Sequence, residues 1–355
     1  MKETQAKLQT ILQAYGLEPE KLEIKAFGSG LINHTWMVSD EKGAYILQRI
    51  NKQVFKDPGI IADNLHRLDI YLKNTSPGYL FVAPMQAEDG RLMISDGDDD
   101  YRLFPFIKGS HTVNSVKTAD EAYEAAKQFG LFTRLLKDYD LSALGYPLKD
   151  FHNLTLRLDQ FNKALANASD ERKLNAQAEI TRVLELTDIA ATYEKIVHDK
   201  LIPVRVIHHD TKINNVLFDR QNKGLCVIDL DTVMPGYFIS DVGDMMRTYL
   251  AEANEEETEL GKISVRKDLF AAIYQGYMQE MGDVLTEKEK ELFIYSGKFM
   301  IYMQAIRFMA DYLNGDVYYP THHPEHNLVR TQNQLCLLDD YLANESVFKS
   351  IMNEK

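Results

Sequence analysis

The stretch VIHHDTKINNVLFD, residues 206–219, places two histidines, two aspartates, a lysine and two asparagines between two short runs of strand-forming residues. A turn held by Asx chemistry needs one or two such side chains. Fourteen residues beyond Asn215, a further apolar run, LCVID, ends at Asp229 and continues as LDTVMPG. A hairpin closed by DRQNKG at 219–224 would bring the strand ends together, so that Asp210, Asn215 and Asp229 converge. Two carboxylates and an amide oxygen make an oxygen-rich site. Hard cations such as Mg²⁺ prefer such ligands and bind through one or two carboxylates plus substrate phosphates. The spacing H-x-D-x-x-x-x-N, followed by a strand that ends in Asp, is that of phosphoryl-transfer loops. In that template Asp210 accepts a hydroxyl proton, Asn215 and Asp229 hold metal, and His208 is a buried scaffold for the loop. Lys212 is placed to touch a transferred phosphoryl group or to remain solvated.

Outward from this loop the chain divides by pattern. Residues 1–106 are strand-rich: KLEIKAFGSGLINHTWMVSD, AYILQRIN, YLFVAPM, RLMISD and DYRLFPFI alternate with Gly and Asp turns. One helix is expected at about 57–73, where Ile61, Leu65, Leu68 and Tyr71 or Leu72 fall at helical spacing. Residues 107–355 turn to long helices, with stripes through Ala125, Phe129, Phe132 and Leu136 behind an Asp120 cap, through Val183, Leu186, Ala190, Tyr193 and Val197, and through Leu292 to Leu313. The expected architecture is α+β with two lobes, a small antiparallel sheet with one helix and a large, mainly helical lobe.

Composition narrows the partners. The 355 residues are 45% hydrophobic and 26% charged, with 40 Lys and Arg against 53 Asp and Glu, a formal charge of −13. An acidic chain is a poor match for nucleic acid or an anionic membrane, which leaves a small molecule as the expected partner. Only Cys226 and Cys336 are present, the N-terminal stretch lacks the apolar core of a signal peptide, and no apolar run approaches membrane-spanning length. A cytoplasmic location is expected.

HHDTKINNVLFD followed by VIDLDTVMPG resembles the aminoglycoside phosphotransferase and choline kinase superfamily, whose fold is similar to that of protein kinases. FGSGLINHTW, ILQRIN, FKDP and FHNLTLR are most similar to its N-acetylhexosamine 1-kinase branch. The resemblance runs from about residue 24 to residue 320. It implies ATP and Mg²⁺ as cofactors, residues 1–106 as the nucleotide-binding lobe and 107–355 as the catalytic and substrate lobe. It further implies Asp210 as catalytic base and substrate contact, Asn215 and Asp229 as Mg²⁺ ligands, and Asp231 as a second metal or supporting carboxylate. Asp241 and Asp244 would brace the catalytic loop or cap the following helix. Gly28, Ser29 and Gly30 would carry the phosphates, since glycines let backbone N–H groups approach closely. Where the branch often has His after the second glycine, this chain has Leu31. The strand lysine of most kinases is absent, and Gln48 or Arg49 would stand in for it; strand alternation points the two to opposite faces. Phe104 and Phe106 would shape an adenine slot at the hinge, and Arg307 and Tyr318 match sugar-contacting positions of the branch. The implied reaction is transfer of the γ-phosphoryl group of ATP to the anomeric hydroxyl of N-acetylglucosamine or N-acetylgalactosamine. Two other outcomes stand beside it: the same chemistry on homoserine, choline, an aminoglycoside or another sugar, and a regulatory pseudokinase that binds nucleotide without turnover.

Overall fold

The computed structural model describes residues 2–28, 33–41 and 43–354. The small lobe opens with α1 (Lys2–Ala14), followed by β1 (Glu23–Ala26), β2 (His34–Ser39), β3 (Ala44–Arg49), α2 (Pro58–Thr75), β4 (Ile94–Asp96) and β5 (Asp99–Pro105). The strands form one antiparallel sheet in the order β1-β2-β3-β5-β4. Its two faces follow from strand alternation. Val38, Leu47, Tyr101 and Leu103 are buried on one face beneath Leu8, Ile11 and Leu12 of α1. The opposite face carries Thr35, Gln48 and Arg102, paired in register across β2, β3 and β5, and it looks onto the large lobe.

Helix α2 begins where Asp57 caps the N–H of Gly59 and Pro58 occupies the first turn, both favourable at a helix start. Its apolar stripe resolves to Ile61, Leu65, Leu68 and Leu72, and these side chains join the core of the large lobe. Asn64 adds polar ties across the lobes: its Nδ2 donates to the carbonyls of Gly145 (3.0 Å) and Val233 (3.2 Å), and its Oδ1 accepts from Gly145 N (2.9 Å).

The large lobe contains α3 (Ala119–Leu135), α4 (Leu154–Asn167), α5 (Asp170–Asn175), α6 (Gln177–Glu185) and α7 (Asp188–His198), then β6 (Arg205–Ile207), β7 (Val216–Phe218), β8 (Gly224–Val227) and β9 (Met234–Gly236). Helices α8 (Phe238–Tyr249), α9 (Lys267–Met281), α10 (Glu287–Glu291), α11 (Phe293–Leu313), α12 (His326–Ala343) and α13 (Glu345–Asn353) complete it. α11 is buried along nearly its whole length between α4, α8 and α12. No described helix is long and apolar enough to cross a membrane.

Several sequence expectations change. α1 precedes the sheet, so the small lobe has a second helix. The YLFVAPM segment is no strand: Met85 N bonds Leu103 O, but Pro84 has no N–H to extend a ladder. The cap of α3 is Thr118, in a reciprocal capping box with Glu121, rather than Asp120. The Val183–Val197 stripe is split between α6 and α7, and two further helices, α12 and α13, follow the one that carries the Leu292–Leu313 stripe.

Close helix contacts depend on glycine where no side chain fits. α3 meets α9 at Gly276, where a Cβ would press against the carbonyl oxygen of Tyr123. Gly276→Ala should therefore lower stability by about 1–3 kcal/mol through overpacking, measured by chemical denaturation. Gly78→Ala, where a Cβ meets nothing within 4 Å, is the matched control and should change stability by less than about 0.5 kcal/mol.

Candidate active site

β6 pairs antiparallel with β9, and β7 with β8, while Ile228 N donates to Asn215 O (2.8 Å). These ties bring the 208–215 loop beside Asp229, as the hairpin spacing implied. The loop itself is held from α8. Asp241, in the first turn of that helix, accepts the N–H of His208 (2.9 Å) and of His209 (2.7 Å) on its two oxygens. Asp244 Oδ2 accepts Thr211 N (2.8 Å), Thr211 Oγ1 donates to Asp241 O (2.8 Å), and Tyr249 Oη donates to Thr211 O (2.6 Å). Asp241 and Asp244 thus brace the loop. The bracing supports a left-handed backbone at His209 (φ 68°), and Asp229 (φ 58°) also takes this conformation, which is costly for side chains and common at functional sites.

His208 is fully buried against Phe129 and Phe132; its Nε2 meets Ile228 O at 2.9 Å, and its Nδ1 accepts Asp210 N at 3.3 Å. Burial pushes its pKa down despite nearby carboxylates, so it is a neutral scaffold. Next to it, His209 approaches His152, Nδ1 to Nδ1, at 3.4 Å, and burial with the neighbouring His208 pushes its pKa to about 3.

Asp210, Asn215, Asp229 and Asp231 all line one cleft of about 510 Å³ between the lobes, together with Gln48, Lys212 and Arg247. Lys212 Nζ stands 3.3 Å from Asp210 Oδ1, and that carboxylate holds its pKa above the usual lysine value. Asn215 Nδ2 donates to Asp210 O (2.9 Å), which leaves its Oδ1 for another partner. Surrounding protein and the nearby Asp231 and Asp210 raise the Asp229 pKa to about 7, with Arg102 and Lys212 acting in the opposite sense. A carboxylate so placed fits a cation. With Asn215 Oδ1 it could supply two oxygen ligands, the protein share that Mg²⁺ completed by phosphates and water would need.

Asp231 is engaged differently from Asp229. It is almost fully buried, its Oδ1 lies 2.6 Å from Arg102 Nη2, and its Oδ2 accepts Asn33 Nδ2 (2.9 Å). On the nucleotide side, Gly28 has φ 78°, whereas Ser29 and Gly30 lie outside the described residues. Gln48 faces the cleft, with Nε2 donating to Thr35 Oγ1 (3.3 Å). Arg49 does not: it stands on the α1 face and pairs with Asp99 at 3.5 Å, so of the two strand candidates only Gln48 reaches the cleft. Phe104 stacks under Arg102, Phe106 meets Phe27 edge-on, and Phe106 N is taken by Ala44 O. Neither ring lines the cleft cavity.

Arg307 and Tyr318 are not in the cavity that holds Asp210. They line a separate one of about 410 Å³ with Arg157, Lys163 and Tyr319. Contacts from Arg307 to Phe151, Phe151 to His152 and His152 to His209 link it to the catalytic loop. Arg307 lies over the rings of Phe151 and Tyr319, while Tyr318 is 69% exposed. Asp311 holds this loop by accepting the N–H of Val317, Tyr318 and Tyr319. Sequence reasoning passed over Arg102, Asn33 and Arg247. A lone arginine in the apolar run YRLFPFI was the available sign for the first.

A β-rich small lobe above a helical lobe, with an Asp, Asn and Asp set in the cleft between them, defines a phosphoryl-transfer architecture of the protein-kinase type. Residues 23–269 match the phosphotransferase enzyme family, so the chain belongs to that family, the aminoglycoside phosphotransferase and choline kinase superfamily, and is a small-molecule phosphotransferase. Solved structures share the fold at low identity. An aminoglycoside phosphotransferase from Alicyclobacillus acidocaldarius has a TM-score of 0.67 at 12% identity, over 97% of this chain and 96% of its own. A microcompartment-associated aminopropanol kinase has 0.64 at 16%, over 97% and 98%. A choline kinase from Cryptosporidium parvum has 0.57 at 14%, over 98% and 97%.

The buried histidines predict an acid response. With its pKa lowered to about 3, folded His209 binds no proton where the unfolded side chain already does. Stability should therefore rise with pH up to the ordinary histidine value and be lost as pH falls through that window toward 3. His209→Asn, which tolerates the left-handed backbone, should flatten the slope of unfolding free energy against pH between about 4 and 6.5, measured by urea denaturation at each pH.

Proposed function

We propose that the chain is an ATP- and Mg²⁺-dependent kinase that phosphorylates the anomeric hydroxyl of an N-acetylhexosamine, giving the sugar 1-phosphate. The observation that carries the chemistry is the joint placement of Asp210, Asn215 and Asp229 in one cleft beneath the sheet. Asp210 orients the acceptor hydroxyl and takes its proton as the oxygen bonds to the γ-phosphorus and the bond to ADP breaks. Asn215 and Asp229 would hold Mg²⁺, which supplies charge neutralisation on the phosphates. Lys212 adds positive charge beside Asp210. Positioning and electrostatics account for most of the rate in such transfers.

The lining of the cleft supports a neutral, hydroxylated acceptor. Beyond Asp210 the cavity is bordered by Arg247, Thr248, Asn254, Asn333 and Gln334, and Phe55 is its one aromatic member among the described residues. A quaternary ammonium such as choline is best held by several aromatic faces. An aminoglycoside needs several unpaired carboxylates; Glu255 is paired with Arg247 at 3.2 Å, which leaves Glu252, among the described residues, as the one unpaired acid beside it at that end of the cavity. Amides and a guanidinium suit sugar hydroxyls and an acetamido group. Arg307 lines the neighbouring cavity rather than the cleft, and it enters as a proposed contact for a part of the acceptor that reaches there, because it has no carboxylate partner among the described residues and keeps donors free beyond its bond to Gln304.

Asp210→Asn should leave ADP affinity and the thermal midpoint nearly intact while lowering turnover roughly 10²- to 10⁴-fold; near-normal turnover removes Asp210 as base and an ADP-release assay decides it. With N-acetylglucosamine or N-acetylgalactosamine, ³¹P NMR should show a phosphorus coupled to the anomeric proton. A 6-phosphate, or turnover of an amino alcohol with neither sugar used, overturns the substrate assignment and leaves the catalytic one standing. Arg307→Ala should raise KM about 10- to 100-fold with little change in kcat, the signature of a contact made equally in the ground and transition states. An unchanged KM withdraws Arg307 and Tyr318 and leaves the Arg247 end of the cleft as the acceptor site.

A further inference from the structure

Arg102 is 2% exposed at the middle of β5, directly across from Gln48 on β3. Its Nε and Nη2 donate to Gln48 Oε1 at 3.2 and 2.9 Å, and its guanidinium lies 4.9 Å from the centre of the Phe104 ring. The same Nη2 reaches Asp231 of the large lobe at 2.6 Å, and among the described residues this is the one ion pair that joins the lobes. Asn33 completes the grip: its Nδ2 donates to the other Asp231 oxygen, and its Oδ1 accepts Asn51 N at 3.0 Å. The contact is close but not aligned, for Arg102 Nη1 and Asp231 Oδ1 are both buried without a hydrogen-bond partner. Buried atoms of this kind are costly and call for an explanation.

In kinases a strand lysine pairs with a glutamate on the small-lobe helix, and that pair must be in place for activity. Here the strand position facing the cleft is Gln48, and α2 contains no glutamate. The cation stands one strand over, and its partner stands in the other lobe, two residues beyond Asp229. We propose that Arg102 is a positioning residue that couples the two lobes through Asp231, fixing the turn that carries Asp229 and, through Gln48, the nucleotide side of the cleft. Binding of metal and binding of nucleotide then depend on one another through this side chain. The inference rests on Asn215 and Asp229 being the metal site and holds for any acceptor alcohol.

Calorimetric titration of ADP, with and without Mg²⁺, into the intact protein and its Arg102→Met, Arg102→Lys and Asp229→Ala variants tests it without turnover. Arg102→Met should bind metal-free ADP within about twofold of wild type, yet lose about tenfold or more of the Mg²⁺-dependent gain in affinity. Arg102→Lys, which keeps the charge and lacks the fork that spans Gln48 and Asp231, should fall between the two. If Arg102→Met is not recovered folded, the lysine variant decides alone: it should show a several-fold smaller Mg²⁺-dependent gain at unchanged metal-free affinity. An undiminished gain in the variants overturns the inference. So does an equal loss of metal-free and Mg²⁺-bound affinity, which would make Arg102 a direct phosphate contact or a purely structural residue. Asp229→Ala separates the two levels: if it keeps the full Mg²⁺-dependent gain the metal site itself is misplaced, whereas loss there with none at Arg102 removes the Arg102 role alone.

Discussion

The Asp241 carboxylate is the interaction on which the site depends. It sits in the first turn of α8, where the helix favours negative charge, and spends both oxygens on two consecutive backbone N–H groups of a loop more than thirty residues earlier. Two successive donors can point at one carboxylate only if the chain between them turns sharply, and His209 accordingly takes φ 68°. Burial raises the Asp241 pKa to about 7, and the two donors act against that rise. The reverse turn delivers Asp210 into the cleft instead of along the line of β6. Without Asp241, the backbone of His208 and His209 would have buried donors with no acceptor, an arrangement proteins rarely tolerate.

The cleft then concentrates negative charge. Asp210, Asp229 and Asp231 lie close enough to raise the pKa of Asp229, and the opposing cations come from both lobes, Lys212 from the loop and Arg102 from the sheet. The two aspartates of the DLDT stretch, residues 229–232, have separate fates. Asp231 is buried and spoken for by Arg102 and Asn33, while Asp229, in a left-handed conformation, keeps an unpaired carboxylate facing the cleft. One holds the turn to the small lobe, and the other remains available to a cation.

The convergence of Asp210, Asn215 and Asp229 was legible in the sequence because it is local. Asp210, Asn215 and Asp229 lie within twenty residues, and the strands between them are short enough for spacing to dictate convergence. The α+β class and the two lobes were legible for a similar reason: alternation gives way to helical periodicity soon after residue 106. What escaped depends on distant contact. Whether Gln48 or Arg49 faces the cleft was open until the sheet acquired a covered face, since α1, unread in the sequence, lies on the side of Arg49. Arg102 was hidden among apolar neighbours because its partner is 129 positions along the chain, a separation that periodicity does not register. Neighbouring Tyr318 and Tyr319 are alike in sequence, and packing separates them, with Tyr319 against Arg307 and Tyr318 in solvent.

The lobes meet through two different kinds of contact, and the difference bears on motion. α2 belongs to the small lobe by connectivity but packs its apolar stripe into the core of the large one, and Asn64 locks it to Gly145 and Val233. That contact buries apolar area and satisfies backbone groups, so separating it would be expensive. The sheet, by contrast, has its own core with α1 and reaches the large lobe's charged turn through Arg102 and Asn33. A hinge is expected where contacts are few and polar. On that ground α2 should stay with the large lobe and the sheet should be the part able to shift, and the buried Arg102 and Asp231 pair is where such a shift would reach the turn that carries Asp229.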